Sequence, residues 1–285
     1  MRAGAAPSSA RATGLSSSLL QPLLSKRQYS RWMRIGTWNA LSGQSVAPTT
    51  AATFADVIAS FGLDLLALNE VDQYWARSGY SDQPRVAAEA MGAGDWRFAP
   101  SFRGDDRQRT PTPGRLLGPQ DRPGEAHYGI ALLSRVPVLR WERMELGASA
   151  IGLPLLNARD GARQLQYVPD EPHQALAAHL SNGWTVIATH LSFVTPLGFM
   201  QLRRLQRWAR GFGERVVVMG DMNLPGSILP RRPGWRSAVR MATYPSWNPR
   251  VQFDHILLRD SVGATPIPLN SMGISDHLPL AASLL

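Results

Sequence analysis

Five short polar motifs in this 285-residue chain each sit at the end of, or directly beside, an apolar run of strand length. They are Trp38-Asn39, Asn69-Glu70-Val71-Asp72, Thr189-His190-Leu191, Gly220-Asp221-Met222-Asn223 and Ser275-Asp276-His277, with Phe253-Asp254-His255 shortly before the last. Polar residues placed at strand ends converge at one edge of a sheet. Acids, amides and histidines gathered there make a metal-assisted hydrolytic site. The fold must therefore be built on sheets whose strands end together.

The segments between the motifs mix two periods. Phe54, Val57, Ile58 and Phe61 fall at helical spacing with Gly62 as a stop, which predicts a helix over Ala51–Ser60. A second helix is predicted over Arg85–Met91, closed by Gly92, and a third over Pro196–Arg210, with Phe199, Leu202 and Leu205 on one face. Predicted strands are Leu65–Asn69, Ile130–Ser134, Val138–Leu146, Arg215–Gly220, Gln252–Leu258 and Leu278–Ser283. Ala175–Leu180 and Trp184–His190 flank Asn182-Gly183, a strong hairpin signal. Residues 101–126 lack periodicity and read as a long loop. Hairpins exclude a purely parallel sheet, and the intervening helices exclude an all-β sandwich. Two packed mixed sheets with helices outside satisfy both facts.

Composition limits the alternatives. With no cysteine, disulfides, thiolate metal sites and cysteine nucleophiles are excluded. No apolar run reaches the roughly 18 residues of a membrane span, and no segment reads as an exposed apolar hairpin. The net charge of +9 is concentrated at the start. Arg2, Arg11, Lys26, Arg27, Arg31 and Arg34 precede any acid, and the rest carries 24 basic against 21 acidic residues. That mild excess disfavours a high-affinity duplex binder. Residues 1–32 have the composition of a transit-like or disordered extension, or of a non-native one if the chain starts at Met33. Residues 33–285 are expected to form a single domain, cytoplasmic and monomeric, with no obligate protein partner.

The ordered set Trp-Asn, Glu, Thr-His-Leu, Gly-Asp-x-Asn, Asp-His-Ile, Ser-Asp-His resembles the endonuclease/exonuclease/phosphatase superfamily, over about Arg34 to Leu280. The resemblance implies an α/β fold, a four-layer α/β/β/α sandwich of the DNase I type. It implies a metal shell of Asn39, Glu70 and Asp276, holding Mg²⁺ or Mn²⁺ through an amide oxygen and two carboxylates. His277 becomes the key catalytic histidine, oriented by Asp254. Asp221 is placed to orient or deprotonate the attacking water, and Asn223 to donate to a phosphoryl oxygen. His190 stands where some relatives carry tyrosine and would donate to the same oxygen. The choice of Asp221 or His277 as general base stays open.

The expected activity is metal-dependent hydrolysis of a phosphodiester, in nucleic acid or a phospholipid head group. Asn69 replaces the glutamine usual before the metal-binding Glu. Thr189-His190-Leu191 replaces the Tyr-x-Pro-Asn of exonuclease III-like enzymes, which argues against an abasic-site endonuclease. Pro245-Ser246-Trp247-Asn248 lacks the Asp-Arg of the 5-phosphatases, which argues against phosphoinositide monoester hydrolysis. The Thr-His-Leu signature is nearer to sphingomyelinase-type and DNase-like members. The competing readings are a catalytically inactive binding module on the same fold and a phosphomonoesterase of phosphoinositides. Trp75 and Trp247 are candidate substrate platforms. His127 is a candidate substrate contact, while His173, His179 and His255 read as structural.

Overall fold

Helix ends and strand ends carry the signals that chop this chain into layers. The computed structural model describes residues 32–47, 50–105, 108–112, 114–157, 164–229 and 234–285, and Trp32–Leu285 form one compact unit. The proposed extension lies almost wholly outside the described residues. Strand β1 (Met33–Asn39) is followed by α1 (Phe54–Phe61). Thr53 caps that helix reciprocally: its hydroxyl accepts from Asp56 N–H, and the Asp56 carboxylate accepts from Thr53 N–H. Gly62, at φ 57°, ends it. Then come β2 (Leu65–Gln73), α2 (Gln83–Met91), β3 (Asp95–Gly104), β4 (Arg109–Pro111), β5 (His127–Ser134) and β6 (Val138–Gly147). A two-stranded ribbon, β7 (Leu153–Asn157) and β8 (Gln164–Val168), leads to the hairpin β9 (His173–Leu180) and β10 (Thr185–His190). The chain ends with α3 (Thr195–Arg210), β11 (Val216–Asp221), β12 (Trp235–Ser237), β13 (Asp254–Arg259), β14 (Ala264–Ile267) and β15 (Leu280–Leu284).

The strands form a seven-stranded sheet, β14-β15-β1-β2-β5-β3-β4, and a six-stranded sheet, β12-β13-β11-β10-β9-β6. Each is mixed. β1 and β2 run parallel through α1, and β10 and β11 run parallel through α3, while the remaining pairs are antiparallel. Helical crossovers are what parallel neighbours require.

Three apolar clusters define four layers. Ile35, Leu65, Ala67 and Leu132 of the first sheet pack on Leu176, Val186, Val217 and Ile256 of the second. The outer face of the first sheet, with Leu66, Leu68 and Leu133, packs on Val57, Ile58 and Phe61 of α1 and Ala87, Ala88 and Met91 of α2. The outer face of the second, with Ala177, Ile187, Val218 and Leu257, packs on Leu202, Leu205 and Ala209 of α3. The α/β/β/α sandwich is thus observed.

Two sequence expectations change. Residues 101–126 are not one long loop: β3 continues to Gly104, and β4 folds back on it. An exposed apolar ribbon also exists. The β7–β8 ribbon joins neither large sheet, and Leu165 and Tyr167 on it, with Ile151 at its base, are exposed. Its alternation is short, so the sequence shows it poorly. No helix among the described residues is long and apolar enough to cross a membrane.

Candidate active site

Side-chain parity explains how the polar motifs meet. Ile35 on β1, Val186 and Ala188 on β10, Val217 and Met219 on β11, and Ile256 and Leu258 on β13 all face the core between the sheets. Continuing the same period of two, Asn39, His190, Asp221 and Asp254 face that side at the strand ends, where the apolar core stops. β13 is antiparallel to β11 with Asp254 opposite Asp221, so the start of one strand meets the end of the other. Gly220 allows a close approach: a Cβ there would lie 1.8 Å from Thr189 O.

Glu70 breaks the parity. It follows Asn69, which lies on the inter-sheet side, so regular alternation would send it to the outer face. A register shift between Leu68 and Val71 and a left-handed φ of 53° at Glu70 turn it back. Its Oε1 then accepts from Asn39 Nδ2 at 2.8 Å. Asn69 stitches the sheets together, donating Nδ2–H to Thr189 O at 2.8 Å and accepting from Asp221 N at 2.9 Å.

His277 arrives on the loop before β15. Ser275, at φ 66°, donates its hydroxyl to Asn39 O at 2.6 Å and accepts from His277 N at 3.0 Å. Trp38 Nε1 donates to His277 O at 3.0 Å. The imidazole Nδ1 meets Asp254 Oδ2 at 2.8 Å, and Nε2 lies 3.8 Å from Asp221 Oδ2. Burial disfavours the imidazolium, but Asp254 and Asp221 outweigh it and push the pKa up to about 10. The ring lies 5.0 Å from that of Tyr244.

On the other side of Asp221, His190 Nε2 lies 3.8 Å from the same Oδ2. Its Nδ1 faces Glu171 Oε1 at 3.3 Å. Burial again opposes the charge, and Glu171 and Asp221 overcome it, raising His190 to about 9. Asn223, held at φ 49°, brings Nδ2 to 3.1 Å from His190 Nε2 and to 2.9 Å from Leu191 O. For Asp221, burial alone would raise the pKa. The two histidines and an Asn39 Nδ2 donor at 3.0 Å reverse that, keeping it ionised below the ordinary value.

The acids sort into two kinds. Ligand atoms of Asp221, Asp254 and His277, and of Glu171, His173 and His190, lie within 4.8 Å of one another. In the first group His277 faces two carboxylates, and in the second His190 faces Glu171, at hydrogen-bond or ion-pair distance, an arrangement suited to holding protons. Glu70 and Asp276 differ. Burial raises both pKa values, their mutual repulsion raises Glu70 further, and no Arg or Lys pairs with either among the described residues. Half-buried carboxylates that repel one another are a donor set that fits a hard divalent cation. Asn39 stands beside them: its Oδ1 accepts from Leu41 N–H at 3.1 Å, and its amide nitrogen donates to Glu70 and Asp221. The oxygen keeps a second lone pair, as the ligand role read from sequence requires.

Glu171 was missed. It sits in Pro169-Asp170-Glu171-Pro172-His173, before β9, where no strand period marks it. The acids beside His173 were the available signal. His173 itself has more than a bland packing role: Nδ1 meets His190 O at 2.9 Å and Nε2 meets Asp170 Oδ1 at 3.0 Å, which fixes the backbone at His190. Trp75 is buried and serves no platform role, whereas Trp247 is exposed, next to Ser246, whose N–H donates to Asp276 O. His127 is fully buried within β5 rather than at a substrate surface. His179 pairs with Glu142, and His255 faces away from Asp254 to donate to Leu224 O.

The sequence match with YbhP of Escherichia coli (strain K12) is 26% identical over 175 residues, covering 56% of this chain and 64% of that protein's length. Among solved structures, an endonuclease/exonuclease/phosphatase from Beutenbergia cavernae aligns with a TM-score of 0.55 at 21% identity, covering 89% of this chain and 71% of that one. A mannosyl-6-phosphatase from Bacteroides thetaiotaomicron aligns with a TM-score of 0.54 at 11% identity, covering 89% and 99%. These similarities carry the fold. The family model described as Endonuclease/Exonuclease/phosphatase family matches residues 36–277, which span every motif at this edge. The chain therefore belongs to the endonuclease/exonuclease/phosphatase family.

Proposed function

We propose that the protein is a Mg²⁺-dependent phosphodiesterase that cleaves its substrate by in-line attack of water. The observation that carries this reading is the placement of Asp221 Oδ2, 3.8 Å from the Nε2 atoms of both His190 and His277. A carboxylate kept ionised between two imidazoles can orient water and accept its proton. His277, held cationic by Asp254, is an acid for the leaving oxygen. His190 and Asn223 supply donors for the non-bridging oxygens whose charge grows in the transition state. Glu70 and Asp276 would hold the divalent cation, which when bound neutralises charge on the phosphate.

Of the two substrate classes, a phospholipid head group is favoured. The exposed apolar residues Ile151, Leu165 and Tyr167 lie on the ribbon that leads directly into Asp170-Glu171. Exposed aliphatic side chains fit contact with a lipid surface better than contact with a polyanionic backbone.

Hydrolysis of bis-p-nitrophenyl phosphate with Mg²⁺, and its abolition by chelator, tests the reaction class. No turnover with Mg²⁺ or Mn²⁺ would leave an inactive binding module. Glu70→Gln and Asp276→Asn should each raise the Mg²⁺ concentration for half-maximal rate while circular dichroism is unchanged. Loss of rate with an unchanged Mg²⁺ requirement would remove the ligand assignment. Turnover of phospholipid vesicles against plasmid DNA and RNA decides the substrate class.

A further inference from the structure

Alternation along β5 sends Ile130 and Leu132 to the space between the sheets, and Ala131 and Leu133 to the face that packs on α1 and α2. The same period places Tyr128, near the start of the strand, on the inter-sheet side. That is the side on which Asn39, His190, Asp221 and Asp254 meet. Tyr128 stands opposite Asp72 of β2, just past the bulge that turns Glu70 inward. No step of the proposed reaction uses it.

Tyr128 is 8% exposed, and a buried tyrosine hydroxyl normally has a partner. This one makes no hydrogen bond with any described residue, yet it is not sealed off from open space. The ring, by contrast, is clamped. Phe102 stacks on it with 6.5 Å between centroids and 25° between planes, and the Arg77 guanidinium lies 5.1 Å from its centre. Arg77 is fixed in turn by a two-pronged pair with the fully buried Asp72, at 2.9 and 2.7 Å. A ring held this firmly with its polar end left open is a preformed ligand contact.

The charges around the hydroxyl say which ligand atom it meets. Burial, then Glu171 and Glu70, disfavour the tyrosinate and hold its pKa well above the ordinary tyrosine value. Tyr128 is therefore a neutral donor. Glu70 is the acid assigned to the cation, and Glu171 is the acid that backs His190. A donor in the field of both stands where the phosphate lies, between the cation and His190. We infer that Tyr128 is a further substrate-contacting residue, whose hydroxyl donates a hydrogen bond to a non-bridging oxygen of the bound phosphate. It joins His190 and Asn223 as a third donor. The inference rests on the phosphoesterase reading of this edge.

The test is Tyr128→Phe in the full chain with Mg²⁺ present. The substitution keeps the ring and its stacking and removes only the hydroxyl, so the urea midpoint should not move. Calorimetric titration with inorganic phosphate needs no turnover, and Tyr128→Phe should weaken that binding about ten-fold. For bis-p-nitrophenyl phosphate, kcat/KM should fall about ten- to a hundred-fold, the range for one hydrogen bond to a charged group. Unchanged phosphate affinity overturns the inference, and so does unchanged kcat/KM where the native chain is active. A lowered urea midpoint accompanying the losses also overturns it, because the hydroxyl would then be structural. A native chain that binds phosphate without hydrolysing the ester removes the phosphodiesterase reading alone, and Tyr128 then stands or falls by the phosphate titration. A native chain that binds no phosphate overturns both.

Discussion

Two imidazole–carboxylate couples flank one carboxylate oxygen, and they are built differently. His277 and Asp254 meet at 2.8 Å, with the Asp254 side chain fully buried. His190 and Glu171 meet at 3.3 Å, with the Glu171 side chain 16% exposed. Asp254 opens β13 opposite Asp221 of β11, while Glu171 sits on the segment between the ribbon and β9. Both histidines lie 3.8 Å from Asp221 Oδ2, yet one is backed by sheet and the other by a loop. Distance to the reacting centre is thus alike, and the stiffness of the support is what separates them. A rigidly backed imidazole suits proton transfer, which demands fixed geometry, and a loop-backed one suits a donor that stabilises charge.

The sharpest way to break this contrast is to remove His277. His277→Ala should lower kcat by about 10³-fold or more, the upper range for a general acid–base group. In the Asp254→Asn/His277→Ala double variant the rate should match His277→Ala alone, since a couple that works as one unit is non-additive. Multiplicative losses would mean that Asp254 acts independently.

His190→Ala should lower kcat by about 10²–10³-fold with KM little changed, as for loss of one transition-state donor. His190→Gln keeps a donor and should recover part of the rate. If His190→Ala equals His277→Ala, or raises KM alone, the asymmetry between the couples is wrong.

Glu171→Gln should be mildest, lowering kcat by about ten-fold while leaving KM unchanged. It also carries a stability signature. His190 has a folded pKa of about 9 against an ordinary 6.5. Because the folded value is raised, its contribution is fully present below pH 6.5 and is lost as pH rises through about 9. The gap in urea midpoint between the native chain and Glu171→Gln should therefore be wide near pH 6 and narrow at about pH 9.5. A gap independent of pH would show that Glu171 does not set the charge on His190.

Much of the catalytic edge was legible because strand alternation is a local rule. Asn39, His190, Asp221 and Asp254 each extend an apolar period of two, and that period placed them on the correct face. The Asn182-Gly183 turn likewise announced the β9–β10 hairpin, which forms with Thr185 opposite His179. Helix α1 was marked by its spacing and by Gly62, although its start moved from Ala51 to Phe54 because the Thr53 cap lies inside the predicted span.

What escaped the sequence depends on contacts between distant segments. Glu70 reaches the edge through a bulge that local alternation does not encode, since the register of β2 is set by its pairing with β5. Glu171 carries no period, and it meets His190 in a segment tied to β10 by the hydrogen bond between His173 Nδ1 and His190 O. Trp75 resembles an exposed loop aromatic until the fold buries it, and the Asn39 amide takes its orientation from two carboxylates on other strands. The sequence by itself determined which residue types stand at strand ends and on which face, because that follows from backbone geometry alone. Tertiary structure decided which acid serves which histidine, because charge, burial and hydrogen bonding act between residues that the chain keeps up to 239 positions apart, as with Trp38 and His277.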